Sequence, residues 1–233
     1  MTSIIRVPET TRIEDTLVRG YAQLALETPA RPRDAVLRVL DVVLTALFLV
    51  VALPVGLIIA LVILISSGRP VLYRGERVGR GGRVFTMLKF RTLNADAETR
   101  LGPYLGEELV HRTKTEFTPI GRWLKATQLD EIPQFANVLR GEMSLVGPRP
   151  IRPRFFEELA VELPAYWQRL VVRPGLTGLA QVRRGYETSM AEKLAHDLEW
   201  IADRSVGLYL RTVAATGWRV LKQSVRGLLR PDG

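Results

Sequence analysis

The apolar run from Val42 to Ile65 limits the possible folds of this chain more than any other feature. It contains no charged residue and reaches the length of about 20 apolar residues that a helix needs to cross a bilayer. The run begins about forty residues into the chain and lacks the small-residue cleavage site of a secretory signal peptide. We therefore expect a membrane segment that stays in the mature protein.

Pro54 lies near the middle of this run and predicts a kink or a break, because proline removes one helical hydrogen bond and clashes with the preceding turn. Each half would be roughly 18 Å long, too short for a hydrocarbon core of roughly 30 Å. The residues leave two courses open: a re-entrant hairpin that returns to the same membrane face, or a proline-kinked transmembrane helix.

The charges on both sides of the run favour the re-entrant hairpin. A simple span would put one basic cluster on the trans side, against the tendency of basic residues to stay in the cytosol. The clusters are Arg31, Arg33 and Arg38 before the run, and Arg69, Arg74, Arg77, Arg80 and Arg83 after it.

The pattern of the whole chain predicts a mostly α protein with a small β element, mounted on this re-entrant, proline-kinked helical hairpin. Residues 1–32 form an N-terminal extension of unknown role with a short helix at about Ile13 to Leu26. Residues 33–68 form the re-entrant helix, and residues 69–233 form the remaining domain. Apolar and polar residues alternate after the membrane run, which predicts one β-hairpin or pair of extended segments, and helical spacing prevails from about Asp96.

The C-terminal segment from Val206 to Leu229 predicts an amphipathic helix. Apolar residues recur at three- and four-residue steps, basic residues occur between them, and Trp218 stands at the boundary. This composition is typical of a helix in the membrane interface. An ordinary core-facing helix with a solvated basic face is the alternative that the residues leave open.

The charge balance favours a polyanionic partner. The chain has 33 Lys and Arg against 24 Asp and Glu, a formal net charge of +9, which suits nucleic acid, anionic lipid or a phosphorylated substrate. No nucleic-acid-binding signature is visible, and the basic residues are spread along Gly- and Pro-rich segments. We expect no nucleic-acid partner. The absence of cysteine excludes disulfides, thiolate zinc sites and a cysteine nucleophile.

Asp130 and Glu131 are the strongest candidates for chemistry. Adjacent carboxylates on a helix point roughly 100° apart, so one can face a phosphorus atom while the other holds a metal ion. Such a pair alone is weak support, but basic side chains beside Pro or Gly occur around it and can bind phosphate oxygens. These basic residues are Lys125, Arg140, Arg149, Arg173, Arg183 and Arg184.

Several long segments resemble the bacterial sugar transferases, the small monotopic polyprenyl-phosphate phosphoglycosyl transferases. The resemblance extends from about Arg33 to about Lys222 and is carried by GRPVLYRGERVGRGGRVFTMLKFRTL, TPIGRWLKATQLDEIPQFANVLRGEMSLVGPRP, RPGLTGLAQV and KLAHDLEWI. It implies that Asp130 attacks the sugar-bearing phosphate of a UDP-sugar, releases UMP and passes the phosphosugar to polyprenyl (undecaprenyl) phosphate. It also implies Mg²⁺ held by Glu131, and a membrane kink at Pro54.

The same resemblance implies further site residues. It suggests phosphate or structural contacts for Lys89, Arg91, Arg149 and Arg173, and an active-site acid at Asp197. The chain departs from the usual arginine and serine before the dyad, where it has Lys125 and Gln128. Lysine keeps the charge but loses the bidentate fork of arginine, which predicts a weaker or shifted phosphate contact at Lys125.

The resemblance places the enzyme at the inner (cytoplasmic) membrane, with its catalytic domain on the cytoplasmic face. The expected partners are a UDP-sugar, polyprenyl phosphate and anionic membrane lipids, and a homodimer is left open. The sugar is not predicted, because the segment after AQV varies with it. Two rival functions remain: a glycosyltransferase that releases UDP, and a membrane-anchored basic scaffold in which Asp130 is dispensable.

Overall fold

The computed structural model describes residues 9–25, 31–101, 106–183 and 189–229. It is mostly helical with a small β content, as predicted, and the strands form two small sheets. The helices of the described residues are α1 (Glu9–Ala25), α2 (Pro32–Ser67), α3 (Ala97–Leu101), α4 (Gly106–Thr115), α5 (Gly121–Thr127), α6 (Gln134–Arg140), α7 (Pro153–Glu162), α8 (Leu179–Arg183), α9 (Met190–Asp203) and α10 (Val206–Leu229). The strands are β1 (Leu72–Val78), β2 (Val84–Phe90), β3 (Ser144–Val146) and β4 (Gly175–Thr177).

The sheet formed by β1 and β2 confirms the predicted pair of extended segments. A short 3-10 turn at Arg80–Gly82 connects the strands. Gly82 has a positive φ of 75°, and a Cβ atom there would lie 2.5 Å from the backbone of Leu17. Glycine is therefore required for both reasons, since other residues rarely adopt this φ and no side chain fits.

The sheet formed by β3 and β4 was not predicted. The strands are parallel, with Ser144 opposite Gly175 and Val146 opposite Thr177. Each strand has only three residues, too few for an alternating pattern to stand out in the sequence. A Cβ atom on Gly175 would lie 2.1 Å from the backbone nitrogen of Gly147, so this glycine permits the two backbones to approach.

Helix α2 contains the whole apolar run and is the one helix among the described residues that is long and apolar enough to cross a membrane. It continues through Pro54, so any effect of the proline has to be a kink inside a continuous helix. Large apolar side chains along it are exposed, which fits contact with lipid better than contact with water. They include Val43, Leu47, Val50, Val51, Leu57, Ile58, Leu61 and Ile65. The re-entrant course stays a prediction.

The chain divides into two compact units. The first unit comprises Met1–Thr45, Gly75–Met87 and Asn137–Thr216, and the second comprises Ala46–Arg74, Leu88–Ala136 and Gly217–Gly233. The core of the first unit is formed by Leu17, Val78, Phe156, Leu159, Ala160, Tyr166, Leu170 and Leu194. The core of the second unit is formed by Ile59, Ile63, Phe90 and Leu124.

The predicted terminal helices are both present. Helix α1 contributes Leu17, which is fully buried, to the core of the first unit. In helix α10, the exposed fraction is 70% for Trp218 and 57% for Leu221, which leaves apolar area available at that surface. The side chains of this helix beyond residue 222, including the predicted Val225 and Leu228, lie outside the described residues.

Candidate active site

Asp130 and Glu131 lie on a 3-10 turn, Leu129–Glu131, that directly follows α5. Gln128 stands before this turn with a positive φ of 61°, in the left-handed region. The Glu131 N–H donates to the Gln128 carbonyl at 3.1 Å. The left-handed residue ends α5 and redirects the chain, so both carboxylates are presented by a tight turn and not by a regular helix.

Apolar residues on both sides of the dyad fix this turn. Leu129 and Ile132 pack against the core of the second unit. Ile132 also lies beneath α2, where a Cβ atom on Gly56 would be 3.4 Å from its Cγ2 atom. The anchoring limits movement of the turn, as positioning of a reacting carboxylate requires.

Lys89 on β2 is the cation shared by the two carboxylates. Its Nζ atom lies 2.6 Å from Glu131 Oε1 and 3.7 Å from Asp130 Oδ2. The exposed fractions of the three side chains are 17% for Lys89, 10% for Asp130 and 14% for Glu131. Lys89 hydrogen-bonds Glu131, whereas its distance to Asp130 is beyond hydrogen-bond range but within electrostatic range.

The carboxylates of the dyad fit a magnesium ion that also binds a substrate. The described residues contain no group of three or more Asp, Glu or His side chains that could hold a metal by themselves. Mg²⁺, however, is commonly held by one or two carboxylates together with water and substrate phosphates. Asp130 and Glu131 supply such oxygen ligands, and the Lys89 ammonium already shows that Glu131 accepts a cation.

The other two predicted residues of the second unit have distinct surroundings. Arg91 is buried, and its Nη2 atom donates to the carbonyls of Ser67 and Gly68 at 2.6 and 3.0 Å. Its guanidinium therefore satisfies orphan carbonyls at the end of α2, a structural contact. Lys125 is exposed on α5, with its Nζ atom 5.3 Å from the centre of the Phe117 ring.

Asp197 and Arg149, in the first unit, are connected through Arg169. Asp197 is buried on α9, and its Oδ2 atom lies 2.9 Å from Arg169 Nε. Arg169 Nη2 donates to the Arg149 carbonyl at 2.7 Å, and Nη1 donates to the Tyr166 hydroxyl at 2.6 Å. Burial raises the pKa of Asp197, although Arg169 opposes the shift. Asp197 therefore helps to hold the backbone of the GPRP segment through Arg169.

Other arginines of the predicted cluster contact different partners. Arg173 Nε donates to the Gly141 carbonyl at 2.9 Å. Burial, with Arg38 and Arg80 nearby, lowers the pKa of Arg173. Arg183 forms an exposed pair with Glu199, with Nη2 donating to Oε1 at 2.8 Å. Arg184 lies outside the described residues.

Asp41 is a buried polar residue that the sequence analysis missed. It lies on α2, one residue before the apolar run, and its Oδ1 atom accepts three hydrogen bonds. The donors are Ser144 Oγ at 2.8 Å, the Leu145 N–H at 2.9 Å and the Tyr209 hydroxyl at 2.8 Å. The signal in the sequence was a lone acidic residue at the edge of an apolar helix, three residues after Arg38.

Comparisons with known proteins agree with these features. The chain is 42% identical over 185 residues to a UDP-glucose:undecaprenyl-phosphate glucose-1-phosphate transferase of Caulobacter vibrioides, covering 76% of this chain and 67% of the relative. It is 34% identical to a UDP-N-acetylgalactosamine-undecaprenyl-phosphate N-acetylgalactosaminephosphotransferase of Aeromonas hydrophila, covering 77% of this chain and 42% of the relative. It is 36% identical to an undecaprenyl-phosphate galactose phosphotransferase of Salmonella typhimurium, covering 62% of this chain and 32% of the relative.

The relatives confirm that the chain is an enzyme of the transferase class, and the long apolar helix is consistent with association with a membrane. The names of these three relatives contain three different sugars, and their sequence identities to this chain are similar. The comparisons therefore do not identify the sugar. The family model for bacterial sugar transferases matches residues 32–223, nearly the range that carried the resemblance in the sequence. The chain therefore belongs to the bacterial sugar transferase family.

Proposed function

We propose that this enzyme transfers a phosphosugar from a UDP-sugar to polyprenyl phosphate and releases UMP, as the first membrane step of glycan assembly. The observation that carries the proposal is the turn at Leu129–Glu131, which presents Asp130 beside Glu131 and Lys89. The names of the relatives support the two substrates, since they pair UDP-sugars with undecaprenyl phosphate.

In the first half-reaction, a carboxylate oxygen of Asp130 attacks the phosphorus atom that bears the sugar. The bond between this phosphorus and the oxygen bridging to the nucleoside phosphate breaks, and UMP leaves with that oxygen. The product is a phosphosugar-aspartyl enzyme. A carboxylate nucleophile splits a difficult phosphoryl transfer into two easier steps.

In the second half-reaction, a phosphate oxygen of the polyprenyl carrier attacks the same phosphorus atom. The bond to the Asp130 oxygen breaks, which regenerates the carboxylate and gives a polyprenyl diphosphate sugar. The carrier oxygen enters as a phosphate anion, so the step needs no base to remove a proton.

Lys89 and Glu131 assist these steps by controlling charge. The Lys89 ammonium lies between the two carboxylates and can turn from Glu131 towards the phosphate oxygens when a substrate binds. Glu131, with Asp130, provides oxygen ligands for Mg²⁺. A bound Mg²⁺ supplies stabilisation of the negative charge on the phosphate oxygens during transfer.

The membrane segment explains how two substrates from different phases can be used. We propose that α2 enters and leaves on the cytoplasmic face, kinked at Pro54, and that α10 lies in the interface. The exposed apolar side chains of α2 and the exposed Trp218 support lipid contact. A water-soluble nucleotide sugar and a membrane-bound carrier then meet at one carboxylate.

Product analysis tests the reaction. Purified protein is incubated with Mg²⁺, undecaprenyl phosphate and a panel of UDP-sugars, and the nucleotide product is identified. We expect UMP with the accepted sugar, and its loss in Asp130→Asn, which keeps the side-chain shape but removes the nucleophile. Without the carrier, intact-protein mass spectrometry should show one added phosphosugar on the wild type and none on the variant.

Asp203→Asn is the matched control, because Asp203 is an exposed aspartate at the end of α9. It should release UMP at the wild-type rate. UDP as the product would replace this proposal with direct glycosyl transfer. UMP release that survives in Asp130→Asn would remove Asp130 from the role of nucleophile.

A further inference from the structure

A recess in the first unit is lined by a group of arginines that the proposed reaction does not use. We call it the arginine recess. It opens to solvent at its mouth, and its interior volume is about 40 Å³. Its charged lining residues are Asp34, Arg38, Asp41, Arg80, Arg173 and Arg204.

The two carboxylates of the arginine recess are engaged by groups of the protein. Asp34 forms a bidentate pair with Arg204, with Nε at 2.6 Å and Nη2 at 2.9 Å from its oxygens. Asp41 Oδ1 accepts the three hydrogen bonds from Ser144, Leu145 and Tyr209. Its second oxygen, Oδ2, lies 3.7 Å from Arg38 Nη1. The two carboxylates together therefore cannot neutralise the positive charge of all the arginines in the recess.

Three arginines keep positive charge directed at the recess. Arg38 is fixed by the carbonyls of Val138 and Leu139, which accept from its Nη atoms at 2.7 and 3.0 Å. Among the described residues, Arg173 is fixed through Nε, which donates to the Gly141 carbonyl. The Arg80 side chain forms no hydrogen bond and no close ion pair within the described part of the chain, although its charge helps to lower the pKa of Asp34. Four guanidinium groups thus face two carboxylates, an excess of two positive charges.

This excess is unfavourable in the protein alone. Like charges held close together repel, and the lowered pKa of Arg173 has Arg38 and Arg80 among its causes, after burial, while Asp41 and Asp34 oppose the shift. Backbone carbonyls fix the guanidinium positions without cancelling their charge. An anion of two negative charges with several oxygens would relieve the repulsion and accept the remaining N–H donors.

We propose that the arginine recess binds a phosphate group, most simply that of a phospholipid headgroup. Arg38 lies one helical turn before Val42, where the apolar run of α2 begins, so this part of the helix is at headgroup depth when the run is in the membrane. The inference depends on membrane association and not on phosphosugar transfer.

Arg80→Gln is the variant that tests the site, because Arg80 supplies charge without holding any other group of the described residues. Arg83→Gln is the matched control: Arg83 follows three residues later and is exposed, so both variants lose one positive charge. The full chain is studied in an uncharged detergent, at fixed ionic strength and without nucleotide sugar. Circular dichroism verifies that both variants fold.

Thermal unfolding is followed with three probes: inorganic phosphate, dioctanoyl phosphatidylglycerol and the uncharged dioctanoylglycerol. A ligand that binds the native state raises the Tm. We expect the phosphate-bearing lipid to stabilise the wild type and Arg83→Gln alike. Loss of one charge-assisted contact should raise the lipid concentration that Arg80→Gln requires by about tenfold.

Each result has a defined meaning. A lipid effect that exceeds the effect of inorganic phosphate identifies the headgroup as the source, and equal effects identify free phosphate as sufficient. Both support the site if Arg80→Gln weakens them. Equal responses of Arg80→Gln and Arg83→Gln, or equal stabilisation by dioctanoylglycerol, would overturn it. These outcomes do not depend on whether UMP or UDP is the product of the enzyme.

Discussion

Lys89 and Arg80 are both partly buried cations, but their partners differ. Lys89 contacts two carboxylates of the protein, Glu131 at 2.6 Å and Asp130 at 3.7 Å. Arg80 lines a recess in which two neighbouring arginines, Arg38 and Arg173, are held by backbone carbonyls. The first cation is an internal counter-ion of the dyad, whereas the second forms no close ion pair with a described residue and adds to an excess of positive charge in the recess.

This difference indicates which ligands the dyad and the arginine recess can each bind. A lysine on a flexible stem can leave a carboxylate when a metal ion or a phosphate arrives, because its ammonium is a mobile point charge. Arginines fixed by carbonyls hold their geometry, which suits an anion that stays bound. The dyad therefore suits the exchange of charge that the proposed transfer requires, and the arginine recess suits the bound phosphate proposed for it.

Removal of Lys89 should give the largest effect. Lys89→Met keeps the length of the side chain but removes the counter-ion between Asp130 and Glu131, and with it the donor proposed to stabilise the transferring phosphate. We expect kcat/KM for UMP release to fall about 10²- to 10³-fold. The measurement is initial rates over a range of UDP-sugar concentrations.

Lys114→Met provides the control, since Lys114 is an exposed lysine on α4. Its rate should stay within about twofold of the wild-type rate, because surface substitutions have small effects. A Lys89→Met rate close to that of Lys114→Met would break the comparison, because the shared cation would then have no part in transfer.

Asp41→Ala should give the largest effect on stability. The change leaves the Leu145 N–H and the hydroxyls of Ser144 and Tyr209 without their buried acceptor. The free energy of unfolding should fall by about 3–5 kcal/mol, measured by denaturant titration in detergent. This carboxylate is structural, in contrast with Asp130, whose replacement should reduce turnover far more than stability.

Asp203→Ala is the comparison variant, because Asp203 is exposed and should cost less than about 0.5 kcal/mol. If Asp41→Ala were equally mild, the hydrogen bonds to Asp41 would not hold α2 in the first unit. The negative charge of Asp41 would then be less engaged by these donors and could repel an anion in the arginine recess.

Tyr209→Phe should have a smaller effect that depends on pH. Burial, reinforced by Asp41, raises the pKa of Tyr209 above its ordinary value of 10.0. Above pH 10 the unfolded chain loses this proton while the folded chain keeps it, so the stability of the wild type falls by up to about 1.4 kcal/mol per pH unit. Phenylalanine has no such proton, so Tyr209→Phe lacks this pH dependence. At neutral pH its free energy of unfolding should be about 1–2 kcal/mol lower than that of the wild type, because the hydrogen bond to Asp41 is lost.

The stability difference between the wild type and Tyr209→Phe should therefore narrow as pH rises above 10. Unfolding curves at several pH values give this difference directly. A constant difference for Tyr209→Phe would show that its hydroxyl is not the protected donor to Asp41.

The elements whose signals are local could be predicted from the sequence. The apolar run predicted α2, the alternating segment predicted β1 and β2, and the adjacent carboxylates stand on one turn. Lys89 was proposed only through the resemblance. Its contact with Glu131 joins residues 42 positions apart. A contact between residues so far apart in the chain produces no recognisable pattern in the sequence.

The polar contacts of the first unit were harder to predict, because they are long-range. Asp41 and Tyr209 are 168 positions apart, and the strands β3 and β4 have three residues each. The resemblance predicts that Arg173 and Asp197 are site residues, and this stays a prediction, but a motif match does not reveal a partner such as Arg169. Only packing decides which charged side chains become buried pairs and which keep their charge for a ligand.

Gln128→Gly should give the smallest effect and sharpens the view of how the dyad is presented. Gln128 has a φ of 61°, a conformation that costs a non-glycine residue about 1–2 kcal/mol, whereas glycine adopts it freely but loses more chain entropy on folding. The variant should gain about 0.5 kcal/mol of stability. Gln128→Ala, which keeps the strain, should gain nothing, and denaturant titration compares the two. Equal stabilities would mean that the turn relaxes around residue 128, and that packing of Leu129 and Ile132 alone positions Asp130.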